Sequence, residues 1–140
     1  MSPRKHVRSG APWEDVAGYS RAVVAGQQVF ISGTTAVDED GQVVGHGDPY
    51  RQTQRCIEII AAALAEIGGE LQHVVRTRMY VTDIDKWPEI ARAHQESFGR
   101  IMPATTMVEV SRLIDPDMLV EIEADALLDA APASRDDDGD

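Results

Sequence analysis

Apolar positions in the first third of the chain come in short runs. Ala22-Val23-Val24-Ala25 and Val29-Phe30-Ile31 are separated by a segment with Gly26, which reads as a hairpin within residues 21–33. Residues 38–47 hold acids and glycines around Val43-Val44 and predict a loop or a short ribbon. The period then changes. Ile57, Ile60, Ala61, Leu64 and Ile67 recur at helical spacing and form one apolar face. Asp48 is placed to cap that helix, Pro49 to begin it and Gly68-Gly69 to end it. Residues 74–82 read as a strand. A second helix is expected after Asp85 as its cap, with Pro88 in its first turn and Trp87, Ile90, Ala91, His94 and Phe98 along its stripe. Beyond Gly99 and Pro103, strands are expected over residues 105–112 and 119–127, with a turn at Asp115-Pro116-Asp117. In the last strand Val120, Ile122, Ala124 and Ala126 point one way, and Glu121, Glu123 and Asp125 the other. Three carboxylates on one face need solvent or cations. Arg76, Arg78 and Arg112 are the candidate partners.

The predicted order ββαβαββ implies an α+β fold, with one sheet, two helices on one of its faces and hairpins at both ends. The second sheet face then needs a cover. A length of 140 residues with 43% hydrophobic residues fits one domain. We expect a flexible segment over residues 1–12, the domain over 13–129 and a disordered acidic tail over 130–140, which contains Asp136-Asp137-Asp138. The net charge of −11 opposes nucleic-acid binding. Arg4, Lys5 and Arg8 are not followed by an apolar stretch, and no run is long enough to span a bilayer. No secretory signal and no membrane partner are therefore expected, and a cytoplasmic location is. Cys56, the single cysteine, is read as a packed small side chain, and His94 as a histidine at the edge of the core. His6, His46, His73 and His94 are scattered without ligand spacing, and no phosphate loop is present, so neither a metal nor a cofactor is expected.

Five stretches in order resemble the Rid superfamily (the YjgF type, also labelled endoribonuclease L-PSP or translation inhibitor). They are residues 18–23 with 29–33, the helix from Gln54 to Gly68, residues 74–83, Pro103-Ala104-Thr105-Thr106-Met107-Val108-Glu109-Val110, and Leu119-Val120-Glu121-Ile122-Glu123-Ala124. The resemblance implies a chorismate-mutase-like sandwich and a homotrimer whose sheets face the axis. It also implies small-molecule clefts between subunits. Family members of the RidA type hydrolyse enamines and imines such as 2-aminoacrylate to keto acids and ammonia. An arginine after Pro-Ala holds the substrate carboxylate in a bidentate fork. Here that position is Thr105, whose hydroxyl carries no charge. By resemblance Glu121 is the acid that holds or deprotonates water, and Tyr19, Ser32, Gly33, Thr105, Thr106 and Met107 line the cleft. Ala91 and Met107 stand where the family often has asparagine and cysteine.

The expected function is therefore an enamine or imine hydrolase acting on something other than simple 2-aminoacrylate, on a neutral or cationic ligand. The alternative is a metabolite-binding or regulatory trimer without catalysis. Ribonuclease activity is disfavoured by the charge and by the absence of a basic-aromatic patch. No cation can be placed in the cleft from sequence, which disfavours chorismate-mutase chemistry. On the plain structural alternative, Thr105 and Thr106 are ordinary strand threonines and Met107 fills a gap.

Overall fold

The computed structural model describes residues 4–132. Its elements run β1 (Lys5–Val7), α1 (Pro12–Ala17), β2 (Ala22–Ala25), β3 (Gln28–Thr35), α2 (Pro49–Ala65), β4 (Val74–Val81), α3 (Trp87–Phe98), β5 (Ala104–Glu109) and β6 (Val120–Leu127). Short 3-10 turns lie at Leu71–His73 and Ile84–Lys86. The six strands form one sheet in the order β1-β2-β3-β6-β4-β5. All neighbours are antiparallel except the parallel pair β4–β5. Helices α2 and α3 pack on each other, and α2 packs on β3 and β6. This is the expected α+β fold.

Helix α2 forms as its sequence dictates. The Asp48 carboxylate accepts from Arg51 N at 3.0 Å and Pro49 occupies the first turn. Gly68 beyond its end has φ 77°, the left-handed turn that closes the helix. Its apolar stripe seats Ile57, Ile60 and Leu64 on the sheet, each 3% exposed or less. Gln52 is buried on the same helix and holds two loops. It donates to the carbonyls of Gly45 and Asp117 and accepts from Leu119 N. A buried amide with all these partners stabilises its surroundings, whereas one left unpaired costs about 1–3 kcal/mol.

Strand β6 takes the centre because its inward row is entirely apolar. Val120, Ile122, Ala124 and Ala126 are 3% exposed or less. The strand pairs with β3 on one side and β4 on the other. The expected hairpin between the last two strands is thus corrected: β5 runs parallel to β4 at the sheet edge, mostly exposed, and is not paired with β6. The chain start is corrected too. Within the supposedly flexible residues 1–12, Lys5–Val7 adds an edge strand to β2, and Val7 is 5% exposed. Three residues are too few for an alternation to be legible. The short helix α1 was also not expected. It carries Glu14, 1% exposed, which accepts from Arg8 Nε at 2.9 Å and from the Ser9 backbone and hydroxyl. The cap near α3 is Asp83, accepting from Asp85 N at 3.0 Å, rather than Asp85. One hydrophobic cluster runs from Val7 to Leu128. Most of the expected acidic tail, residues 133–140, lies outside the described residues. Among the described residues no helix is long and apolar enough to cross a membrane.

Candidate functional site

Glu121 lies on β6 opposite Thr35 of β3 and Tyr80 of β4, on the sheet face away from α2 and α3. The register of β3 against β6 shifts between Ile31 and Thr34, so Ser32 and Gly33 form a bulge there. The Glu121 carboxylate sits over Gly33. A Cβ on Gly33 would stand 1.9 Å from Glu121 Oε2. Only glycine leaves this seat open. Burial raises the Glu121 carboxyl above the ordinary carboxylate range, the Arg21 charge pulls it down through space, and Glu123 raises it further. Arg21 Nη2 donates to Gly33 O at 2.7 Å, and its guanidinium carbon is 5.9 Å from the Tyr19 ring centroid. Arg21 Nε is buried without a hydrogen-bond partner. Ser32 Oγ donates to Ser20 O at 2.7 Å, so its hydroxyl proton is already used within the chain. Tyr19, Arg21, Ser32, Gly33 and Glu121 thus form one wall.

Thr105 belongs to a second wall. It pairs with Thr77 on β4, and Thr77 pairs with Ala124 on the helix-facing side of the sheet. Thr105 Oγ1 is 2.7 Å from Thr77 Oγ1, which is 2.9 Å from His94 Nε2 on α3. Thr77 is fully buried and Thr105 exposed. Burial lowers the His94 pKa, so the ring is neutral near pH 7. Met107 pairs with Met79 and packs against the core. Thr106 faces the opposite way, beside Arg78, whose other neighbour across the sheet is Glu123. Strands β3 and β5 are separated by β6 and β4, a distance of roughly 14 Å at ordinary strand spacing. Within one chain the site residues expected from sequence therefore do not converge. Two indentations of the surface hold none of them: one lies between α2 and α3, lined by Ile57, Leu71 and Glu96, and the other lies near His73 and Asp129.

The acids beside Glu121 are engaged. Tyr80 donates to Glu123 at 2.6 Å, and Arg78 donates to Asp125 at 3.2 Å. Of the three arginines considered for this role, Arg78 takes it. Cys56 is fully buried, and burial pushes its thiol up, as expected of a packed side chain rather than a nucleophile. Among the described residues no group of His, Cys, Asp and Glu is arranged to hold a metal ion. The sequence missed Arg21 as the cation of the first wall. Alternation from the buried Ala22 places Arg21 on the Glu121 face, but its bond to Gly33 depends on the bulge. It also missed Thr77, whose inward position looks like any half-polar strand residue.

The family model described as endoribonuclease L-PSP matches residues 10–128. A crystal structure from Mycobacterium tuberculosis, a member of the YjgF/YER057c/UK114 family, is 46% identical. It covers 90% of this chain and 100% of its own, with a TM-score of 0.83. An uncharacterised Streptomyces coelicolor protein is 39% identical over 122 residues, which are 87% of this chain and 90% of that one. The 3-aminoacrylate deaminase RutC of Acinetobacter baylyi is 35% identical over 107 residues, which are 76% of this chain and 84% of its own.

Proposed function

The chain belongs to the Rid superfamily, and from that premise we propose that it is an enamine or imine hydrolase, with a substrate other than simple 2-aminoacrylate. The observation that carries this reading is Glu121: a half-buried carboxylate with a raised pKa, seated on a glycine bulge. Such a group holds a water molecule and takes a proton from it at a pH where an exposed glutamate is a weaker base. The relative named 3-aminoacrylate deaminase supports the same reaction class.

The reaction is the addition of water across C=N. Water oxygen bonds to the imine carbon while Glu121 accepts one of its protons, and the C=N electron pair moves to nitrogen, which takes a proton from solvent. Glu121 then returns its proton to the amine nitrogen of the carbinolamine, the C–N bond breaks as the hydroxyl gives its proton to solvent, and the products are a carbonyl compound and ammonia. One imine and one water give one carbonyl compound and one ammonia. The backbone of Ser32 and Gly33 shapes the seat, and Tyr19 and Arg21 flank it.

The two walls meet in our reading through assembly. A homotrimer with its open sheet faces toward the axis sets the Glu121 wall of one copy against the Thr105 wall of the next. The uncovered open face supports such an assembly, with Phe30 and Val108 more than 40% exposed on it.

The test is release of keto product and ammonia from imines freshly generated by amino-acid oxidases, over neutral, basic and cyclic substrates. Sedimentation reports the number of copies. Acceleration that disappears in Glu121→Gln supports the proposal. Turnover unchanged in Glu121→Gln removes the assigned base. Saturable binding of the panel with no turnover in wild type replaces it with a binding or regulatory trimer. Activity on 2-aminoacrylate that arises only in Thr105→Arg assigns the native ligand to a different class.

A further inference from the structure

Arg21 holds both residues of the β3 bulge. Its carbonyl accepts from Ser32 N at 3.0 Å, and its guanidinium Nη2 donates to Gly33 O at 2.7 Å. We propose that Arg21 is a positioning residue for the base: it fixes the bulge on which the Glu121 carboxylate sits and supplies the counter-charge of that carboxylate. This inference rests on the reading of Glu121 as the base.

The bulge needs a donor from outside the ladder. Ile31 pairs with Ala124 and Thr34 with Ile122, so Ser32 and Gly33 share the single place opposite Glu123. The Glu121 carboxyl oxygen lies 1.9 Å from where a Gly33 Cβ would stand, so any turn of this peptide moves the seat of the carboxylate. A bulge carbonyl without a partner is free to make that turn, and the bond from Arg21 holds it. Arg21 is itself held. Its backbone N donates to Val7 O at 2.7 Å, and its guanidinium carbon stands 5.9 Å from the Tyr19 ring centroid. A lysine carries the same charge but not the planar fork that reaches the carbonyl and lies over the ring.

The charge of Arg21 acts on the same group. Its Nε is buried without a hydrogen-bond partner, so the guanidinium is partly withdrawn from water and its field is weakly screened. Glu121 and Glu14 both feel it through space. Glu14 already has a cation of its own, Arg8 at 2.9 Å. The other groups around Glu121 do not replace Arg21. Glu123 on the same strand pushes the Glu121 carboxyl up. Arg78 on β4 stands 3.8 Å from Glu123 and 3.2 Å from Asp125. Tyr80, opposite Glu121, donates to Glu123. Cys56 on α2 is a neutral thiol, because burial pushes it up.

The full-length protein, labelled at arginine nitrogens and glutamate carboxyls, tests this with and without turnover. In wild type the Arg21 Nε resonance is expected to shift with the same midpoint as the Glu121 carboxyl, and to lose that shift in Glu121→Gln. Arg21→Lys keeps the charge, Arg21→Gln keeps a donor without charge, and Arg21→Met keeps neither. The Glu121 midpoint is expected to rise in Arg21→Gln and Arg21→Met and to stay near wild type in Arg21→Lys. Imine hydrolysis follows with the same sign. The base acts when ionised, so a raised midpoint moves the acid limb of kcat to higher pH, and the rate that Arg21→Gln loses at pH 7 returns on the alkaline side. In Arg21→Met part of the loss persists at every pH, toward the factor of about a hundred that an ångström of misplacement costs. An arginine that only braces the fold would lower Tm in all three variants and move neither the midpoint nor the acid limb. An Nε resonance that ignores Glu121, or a Glu121 midpoint equal in Arg21→Lys and Arg21→Gln, overturns the inference. The first of these needs no Arg21 variant and stands where a variant fails to fold. Hydrolysis abolished by Glu121→Gln, with a midpoint unmoved in Arg21→Gln, leaves the hydrolase reading standing and removes only the role of Arg21. Midpoints that move as expected, with no imine hydrolysed by wild type, keep the charge pairing and remove the base.

Discussion

Gly33→Ala tests the placement of Glu121 while leaving its side chain chemically intact. The added methyl stands 1.9 Å from Glu121 Oε2, 2.9 Å from Cδ and 3.3 Å from Cγ. Ordinary heavy-atom contact needs about 3.5 Å, so the carboxyl group has to retreat by roughly 1.5 Å. What yields is the end of a flexible side chain rather than backbone, and Gly33 has no left-handed φ to strain. An off-rotamer glutamate costs about 0.5–1.5 kcal/mol, and replacing glycine where its backbone suits alanine returns about 0.4–1 kcal/mol through the unfolded state. Stability should therefore change little. Catalysis should not escape, since misplacing a reacting group by an ångström costs about a hundredfold. The assay is steady-state imine hydrolysis by wild type, Gly33→Ala, Glu121→Gln and the double variant. The double variant is expected to be no slower than Glu121→Gln, because both changes act through one carboxylate. Carboxyl ¹³C titration gives a second reading: displaced toward water, Glu121 should titrate closer to an ordinary glutamate. If Gly33→Ala keeps both the Glu121-dependent rate and the titration of wild type, the seat on the bulge has no part in the mechanism.

Three further outcomes follow from the same structure. The raised Glu121 carboxyl means that the folded state binds this proton more tightly than the unfolded one, so its charge destabilises the fold at neutral pH. Glu121→Gln should raise Tm at pH 7, with a difference that shrinks as pH falls through the raised folded pKa and is gone below the unfolded one, and scanning calorimetry at several pH values checks it. Glu14 has the opposite sign. Burial alone would raise it, but bonds from Ser9 and Arg8 hold it below the usual range, so its stabilisation is present above the unfolded pKa and lost as pH falls through the folded one. Glu14→Ala, which strands the groups that donate to it, should cost about 1–3 kcal/mol by urea unfolding at pH 7. Cys56, fully buried with its thiol pushed up, should resist a maleimide or disulfide reagent in the native protein and react at once in denaturant, and fast native labelling would contradict its place in the core.

The pattern of the sequence carried the large elements because each has a period long enough to read. Helix α2 shows about three turns of apolar spacing between a cap and a double glycine, and β6 alternates over eight residues. Elements that rest on one or two contacts were hidden. Strand β1 has a single buried side chain, Val7, and α1 is organised around the buried Glu14, a residue whose charge reads as exposure until Ser9 and Arg8 are seen to satisfy it. The neighbours of β6 were hidden for another reason. Alternation states which face a residue takes and not which strand lies beside it, so the pairing with β3 and β4 was open until the whole sheet was assembled. The same limit governs the site. Glu121 and Thr105 were both found by resemblance, yet they lie two strands apart on opposite faces of one sheet. In the assembly proposed above, such residues share a ligand because the sheet is met by another copy of itself. The separation of the two walls is thus the strongest physical argument for an assembled cleft, and it predicts how variants combine. A heterotrimer mixing Glu121→Gln subunits with Thr105→Val subunits should contain clefts with both walls intact and recover part of the wild-type rate. Two variants confined to the same wall should recover none.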